Sequence, residues 1–156
     1  MLNIVSLILA CLLPAEPGDL MPHPIVLRHQ AIQTDFPALS VDAQGVPWVA
    51  YVEWDGQQDT LCLAKQNENA LQRVLTIGRP GIIHQPALAA SKDGLQVVIW
   101  SQVNDKNVME LHAQNVRNGV TEGTETTLAA NDNGGNVLAR AATDRTGRVW
   151  VAWQAF

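Results

Sequence analysis

The sequence predicts an all-β chain built from repeated four-stranded antiparallel units, and three observations carry that expectation. A stretch reading PALSVDAQGVPWVAYVEW from Pro37 returns as PALAASKDGLQVVIWSQV from Pro86 and as ARAATDRTGRVWVAWQAF from Ala139. Its landmarks keep step: Gly45, Gly94 and Gly147 recur about every fifty residues, and the same offsets align Tyr51 with Trp100 and Trp153, and Pro37 with Pro86 and Ala139. Between the landmarks, short runs rich in β-branched and aromatic residues alternate with clusters of Gly, Asn and Asp, the punctuation of strands and tight turns.

In the first copy the strands are expected at 38–41, 47–53, 60–65 and 72–77, separated by DAQG at 42–45, DGQQD at 55–59 and NEN at 67–69. The second copy places them near 87–90, 95–101, 108–115 and 125–129, with RNG at 117–119 as its third turn. The third copy supplies two strands before Phe156. A unit of this length, cut into four short strands, is the sequence form of a propeller blade. The expected fold is therefore a β-propeller fragment of four-stranded antiparallel blades, about two and a half of them in an incomplete ring, since rings close with roughly four to eight blades.

The second strand of each copy is apolar on both faces: WVAYV, VVIW, VWVAW. A strand with one wet face would alternate, so these strands are expected to be covered front and back by neighbouring blades. The aromatic at Tyr51, Trp100 and Trp153 would fill the gap between blades, each burying about 150–250 Å². In the preceding turn, Gly45, Gly94 and Gly147 suit a position of positive φ, while Asp42 and Asp144 can accept hydrogen bonds from turn amides. The second copy reads SKDG, with Ser91 in the aspartate place and Asp93 beside the glycine, so its turn is expected to close differently.

These turns resemble the Asp-box of sialidase-like (BNR-repeat) propellers, a Ser/Thr-x-Asp-x-Gly-x-x-Trp segment joining the first two strands of a blade. Ser40, Asp42, Gly45 and Trp48 match it in the first copy. Thr143, Asp144, Gly147 and Trp150 match less fully, Thr143 standing one place late, and the second copy has Val97 where the tryptophan belongs. The resemblance covers roughly residues 24–156. It implies that Asp42, Gly45, Gly94, Asp144 and Gly147 are structural turn residues, not catalytic ones.

Residues 1–22 read as a leader and linker, and 23–156 as the partial propeller with repeats starting near 37, 86 and 139. IVSLILACLL at 4–13 is too short to span a bilayer but suits the apolar core of a signal peptide, with cleavage near Ala15. A loose lipobox at 8–11 would instead place a lipid anchor on Cys11. Either reading makes the protein secreted or periplasmic, or tethered at the cell envelope. Against them, no basic residue precedes Arg28, and the same run would serve as a buried strand or follow from a misassigned start. PIVLRHQ at 24–30 precedes Pro37 about as RVLTIGR at 73–79 precedes Pro86, as an outer strand arriving before its blade would. The chain is accordingly expected to belong to a longer protein.

A formal net charge of −5 without a Lys/Arg cluster excludes a nucleic-acid surface. Cys11 and Cys62 form no metal-ligand spacing, and His23, His29 and His112 no common site, so neither metal nor cofactor is expected. Cys62 reads as a small buried hydrophobe, and NDNGGN at 131–136, which lacks the distal glutamate of a calcium loop, as a connecting loop.

Ligand-binding residues are sought on the rim opposite the Asp-box turns. Asp35 and His84 stand in equivalent places two residues before the repeat start, with Val137 as their apolar counterpart; Trp54, Asp55, Asn104 and Asp105 lie near the same rim, Trp54 being suited to stack on a sugar. The bland reading is that Asp35 and His84 cap loops. No catalytic constellation is visible: glycoside hydrolysis needs two acidic groups, or a Tyr/Glu nucleophile pair with an Asp acid, held about 5–9 Å apart. Tyr51 falls at a core position, and Arg28, Arg79 and Arg140 fall in no motif. The expected function is a non-catalytic module for a glycan or protein partner, with a sialidase-like exo-glycosidase piece as the alternative.

Overall fold

The computed structural model describes residues 7–9, 25–27, 33–68, 70–130 and 134–156. Most of 1–22, with Cys11 and Ala15, therefore lies outside the described residues, as do His23, His29 and the start of NDNGGN. Leu7–Leu9 of the apolar run forms β1, which pairs antiparallel with β2, Ile25–Leu27.

The remaining strands are antiparallel throughout. β3 (Gln33–Val41), β4 (Pro47–Trp54), β5 (Asp59–Asn67) and β6 (Ala70–Gly81) make the first blade, in chain order. β7 (Ile83–Ala90), β8 (Leu95–Val103), β9 (Met109–Arg117) and β10 (Val120–Ala129) make the second. β11 (Asn136–Thr143) and β12 (Val149–Ala155) begin the third. The fold is that of an all-β propeller fragment in an open arc, with no helix among the described residues and hence none long enough to cross a membrane.

Several strands exceed their expected bounds, for identifiable reasons. β3 and β7 begin upstream of Pro37 and Pro86, because each proline sits at a β-bulge, where a missing amide costs the ladder nothing. β10 begins at Val120, not near 125, because its polar TEGTET run lies on an exposed outer strand.

The second strands are apolar on both faces because each face meets a different core. Trp48, Ala50 and Val52 of β4 pack with Val98 and Trp100 of β8 between the first and second blades, joined by Leu61, Leu63 and Ile77. The alternate residues Val49 and Tyr51 join Cys62, Ala64 and Leu71 on the other face of the first blade. Ile99, opposite in parity to Trp100, packs with Leu111 and Ala139 between the second and third blades. Tyr51 and Trp100 are fully buried; Trp153 is 42% exposed, its indole N–H donating to Asn136 Oδ1 at 3.2 Å.

The turns between first and second strands set the register. Asp42 Oδ1 accepts the amides of Gln44 (3.0 Å) and Val46 (2.9 Å), and its Oδ2 accepts the Trp48 indole N–H at 2.9 Å. Asp144 repeats this with Thr146, Arg148 and Trp150. At Ser91 the outcome is mixed: the backbone closes in the same way, Ser91 N to Leu95 O at 2.7 Å and Gly94 N to Ser91 O at 3.2 Å, so only the side-chain part differs. There Ser91 Oγ donates to Asp93, whose carboxylate and carbonyl are held by Arg117. All three glycines have φ between 79° and 90°, with open space where a Cβ would stand, so the backbone angle alone selects glycine.

Candidate ligand-binding cleft

The first strands of the three blades, β3, β7 and β11, run side by side along the inside of the arc. Each is broken by a bulge at the same place: between Asp35 and Ala38, between His84 and Ala87, and between Val137 and Arg140. Each bulge carries a non-glycine residue in the left-handed region, Phe36 at φ 53°, Gln85 at 34° and Leu138 at 58°. Such a conformation costs about 1–3 kcal/mol and persists only where surrounding structure imposes it. A bulge also releases backbone groups from the ladder and re-aims the neighbouring side chain.

The bulges border a cleft of about 360 Å³, whose walls include Phe36, Leu39, Gln85, Leu88 and Arg140. Its size falls within the range of small-molecule sites, roughly 300–1,000 Å³. Phe36, on the cleft wall, is 37% exposed, and its ring meets that of His84 in the next blade at 5.8 Å, tilted by 43°. Arg140 brings a cation, with one N–H donating to Ala139 O at 2.8 Å.

The sequence candidates are distributed unevenly around this cleft. Asp35 and His84 are not in blade-to-blade loops; they lie within β3 and β7, each one residue before its bulge. Asp35 is half-buried, accepts a hydrogen bond from Gln33 and pairs across the ladder with Val52. Trp54, 36% exposed at the end of β4, pairs with Gln33 and so stands on the same rim. Asp55 Oδ1 accepts the amides of Gln57 (2.8 Å) and Gln58 (3.0 Å), and these bonds, Gln58 first, lower its carboxyl from the ordinary range.

Asn104 is occupied by its own turn. It accepts from the amides of Lys106 and Val108 and donates to Glu110 at 2.8 Å. Asp105, from the same turn, faces Arg79 of the first blade at 3.5 Å. Asp55 and Asn104 thus shape rim turns, while Phe36, Gln85 and Arg140, which sequence reasoning passed over as ligand candidates, border the cleft. A signal existed, for all three lie at or next to the repeat starts at 37, 86 and 139.

Two buried clusters lie elsewhere. Burial first, then the Glu53 carboxylate, pushes the Cys62 thiol up to about 11, although Arg73 reaches its sulfur at 3.8 Å. His112 stacks on Trp100 at 5.5 Å, with Glu125 at 2.9 Å and Glu110 at 3.5 Å from its ring nitrogens. Among the described residues, no three His, Cys, Asp or Glu side chains converge as a metal site would require.

No family model matches the chain, and no curated protein matches it. Among solved structures it is similar to the crystal structure of endo-arabinase from Bacteroides thetaiotaomicron VPI-5482, with a TM-score of 0.51 and 17% sequence identity. The likeness covers 77% of this chain and 50% of that one, so the chain spans about half the length of the structure it matches. At this identity the likeness speaks for the fold.

Proposed function

We propose that this chain is a propeller module that binds a glycan in the cleft between its first strands. The observation that carries the reading is the alignment of three bulges on one cleft, with the half-exposed Phe36 ring and the Arg140 cation on its wall. Sugars present apolar ring faces with polar edges. Phe36 and Trp54 suit the former, while Gln85, Arg140 and backbone groups freed at the bulges suit the latter. The likeness to a protein that acts on arabinan supports a glycan over a protein partner. The Asp-box turns, at the opposite end of the blades, serve the fold.

Hydrolysis is the second reading, and the same likeness favours it. It requires a partner carboxyl group about 5–9 Å from Asp35. Calorimetric titration with arabinan, xylan and sialylated oligosaccharides, run beside a reducing-sugar assay, separates the two. Saturable heat without new reducing ends, lost in Phe36→Ala, is the expected result. Absence of heat with every glycan sinks the module, and turnover replaces binding with catalysis.

A further inference from the structure

A second concavity lies at the Asp-box end of the blades and shares no residue with the cleft. In an antiparallel blade the turn after the third strand leaves the sheet at the same end as the turn after the first. The β5–β6 turn of the first blade and the β9–β10 turn of the second therefore both emerge at the end of the Asp42 turn. The β9–β10 turn is a tight hairpin, Asn118-Gly119 between the paired Arg117 and Val120, with φ of 53° and 79°, the left-handed pair that Asn-Gly supplies best. It reaches the first blade, since a Cβ on Gly119 would stand 3.6 Å from the Val74 side chain. Between the two turns runs a groove of about 520 Å³, within the range of small-molecule sites, whose walls include Trp48, Lys65, Asn67, Gln72 and Asn118.

Unlike Asp55 and Asn104, which are spent on their own turns, the polar groups of this groove are uncommitted. Lys65 stands opposite Trp48 in the β4–β5 ladder, its ammonium 5.5 Å from the ring centroid. The indole is 4% exposed and its N–H is held by Asp42, so the ring offers a ligand almost no face and serves to fix the ammonium. No acidic side chain stands on the groove wall, and among the described residues no carboxylate forms an ion pair with Lys65. The Asp42 carboxylate that feels its charge is engaged by Gln44, Val46 and Trp48. Arg73 turns instead to Glu53 at 2.8 Å, so the charge the groove offers is that of Lys65. Asn67 Nδ2 donates to Gln72 Oε1 at 3.1 Å, which leaves the Asn67 oxygen to accept and the Gln72 nitrogen to donate. The exposed Asn118 carboxamide has no hydrogen-bond partner among the described residues.

An ammonium selects an anion, and carboxamides, which donate and accept at once, select hydroxyl groups. A simple anion answers the first demand alone and a neutral sugar the second alone. A sugar acid answers both. We propose that the groove is a second binding site, for a hexuronate residue of an acidic glycan, with the carboxylate on Lys65 and the hydroxyls among Asn67, Gln72 and Asn118. The charge-assisted bond from Lys65 is the stronger contact, and the carboxamides of the two blades set the orientation of the ring. This site goes beyond the glycan cleft, takes a ligand of different charge and needs nothing from the cleft.

The test is calorimetric titration of the full chain with trigalacturonate, with its methyl ester, which keeps the hydroxyls and loses the charge, and with inorganic phosphate, which keeps charge and lacks the sugar. Trigalacturonate should give saturable heat that weakens as salt rises, the ester should bind about tenfold more weakly or less, and phosphate should not saturate. Lys65→Gln should weaken trigalacturonate about tenfold with the far-ultraviolet dichroism unchanged. If that variant loses its β signal, Gln72→Ala, at an exposed position of the same wall, should weaken it about fivefold. Absence of heat with trigalacturonate overturns the proposal, as does an ester or phosphate that binds equally well. A loss in Phe36→Ala with none in Lys65→Gln moves the ligand to the cleft and overturns it too. The cleft reading is judged by its own glycans, so either site can fail without the other.

Discussion

β4 and β12 are near copies in sequence and opposites in environment. PWVAYVEW is buried from Pro47 to Val52, whereas VWVAWQA is half-buried at two positions and exposed at the rest. Both are apolar on both faces. The difference teaches that the pattern records a demand for cover at that place in a blade: β4 has the second blade against one face and a buried cluster of its own blade on the other, and β12 has the second blade on one face alone.

The largest expected effect comes from deleting the aromatic at equivalent positions of covered and uncovered strands. Trp100→Ala, at a fully buried site packed against the first blade, should cost about 3–5 kcal/mol. Trp153→Ala, 42% exposed, should cost about 1 kcal/mol or less. Urea midpoints measure both, and equal losses would break the comparison.

Next in size are the turns. Asp42→Ala removes a carboxylate that accepts two amides and the indole of buried Trp48, and should cost about 1–3 kcal/mol. Asp144→Ala breaks the same pattern around a tryptophan that is 61% exposed, and should lower the midpoint less. Gly45→Ala meets no atom within 4 Å, so only its φ of 79° resists, worth about 1–2 kcal/mol.

The smallest effect is a pH dependence. Burial raises the Asp42 carboxyl, but the Trp48 indole, the Val46 and Gln44 amides and Lys65 outweigh it, and the net shift is downward from 3.8. A carboxyl lowered on folding stabilises the native state above its unfolded pKa and loses that contribution as pH falls through the folded one. The urea midpoint of the wild type should therefore drop below about pH 4 more steeply than that of Asp42→Asn. Parallel curves would remove Asp42 from the account.

What the sequence made legible follows from periodicity. Glycines needing positive φ, aromatics filling gaps and strands apolar on both faces all recur, and recurrence converts weak local signals into blade architecture. Strand ends were less legible, since Pro37 and Pro86 read as standing just before their strands when they are bulge residues inside longer ones. The cleft was harder still. Phe36, Gln85 and Leu138 share a backbone conformation and no side-chain chemistry, so no residue type announces the position. Asp55 and Asn104 illustrate the converse, because the oxygens that suit a ligand suit turn amides equally well.

The bulges also index the rim. An extra residue in each inner strand lets side chains an odd number of places apart share one face, so Asp35 lies on the side of Ala38 and His84 on that of Ala87, each three places on. Excising a single residue at Phe36 would leave composition, core and the face of Asp35 almost untouched, because Asp35 would still stand opposite Val52, while removing the left-handed residue and returning the freed backbone groups to the ladder. Insertion or deletion at these positions thus alters the backbone at the mouth of the ring while the blades beneath keep their register.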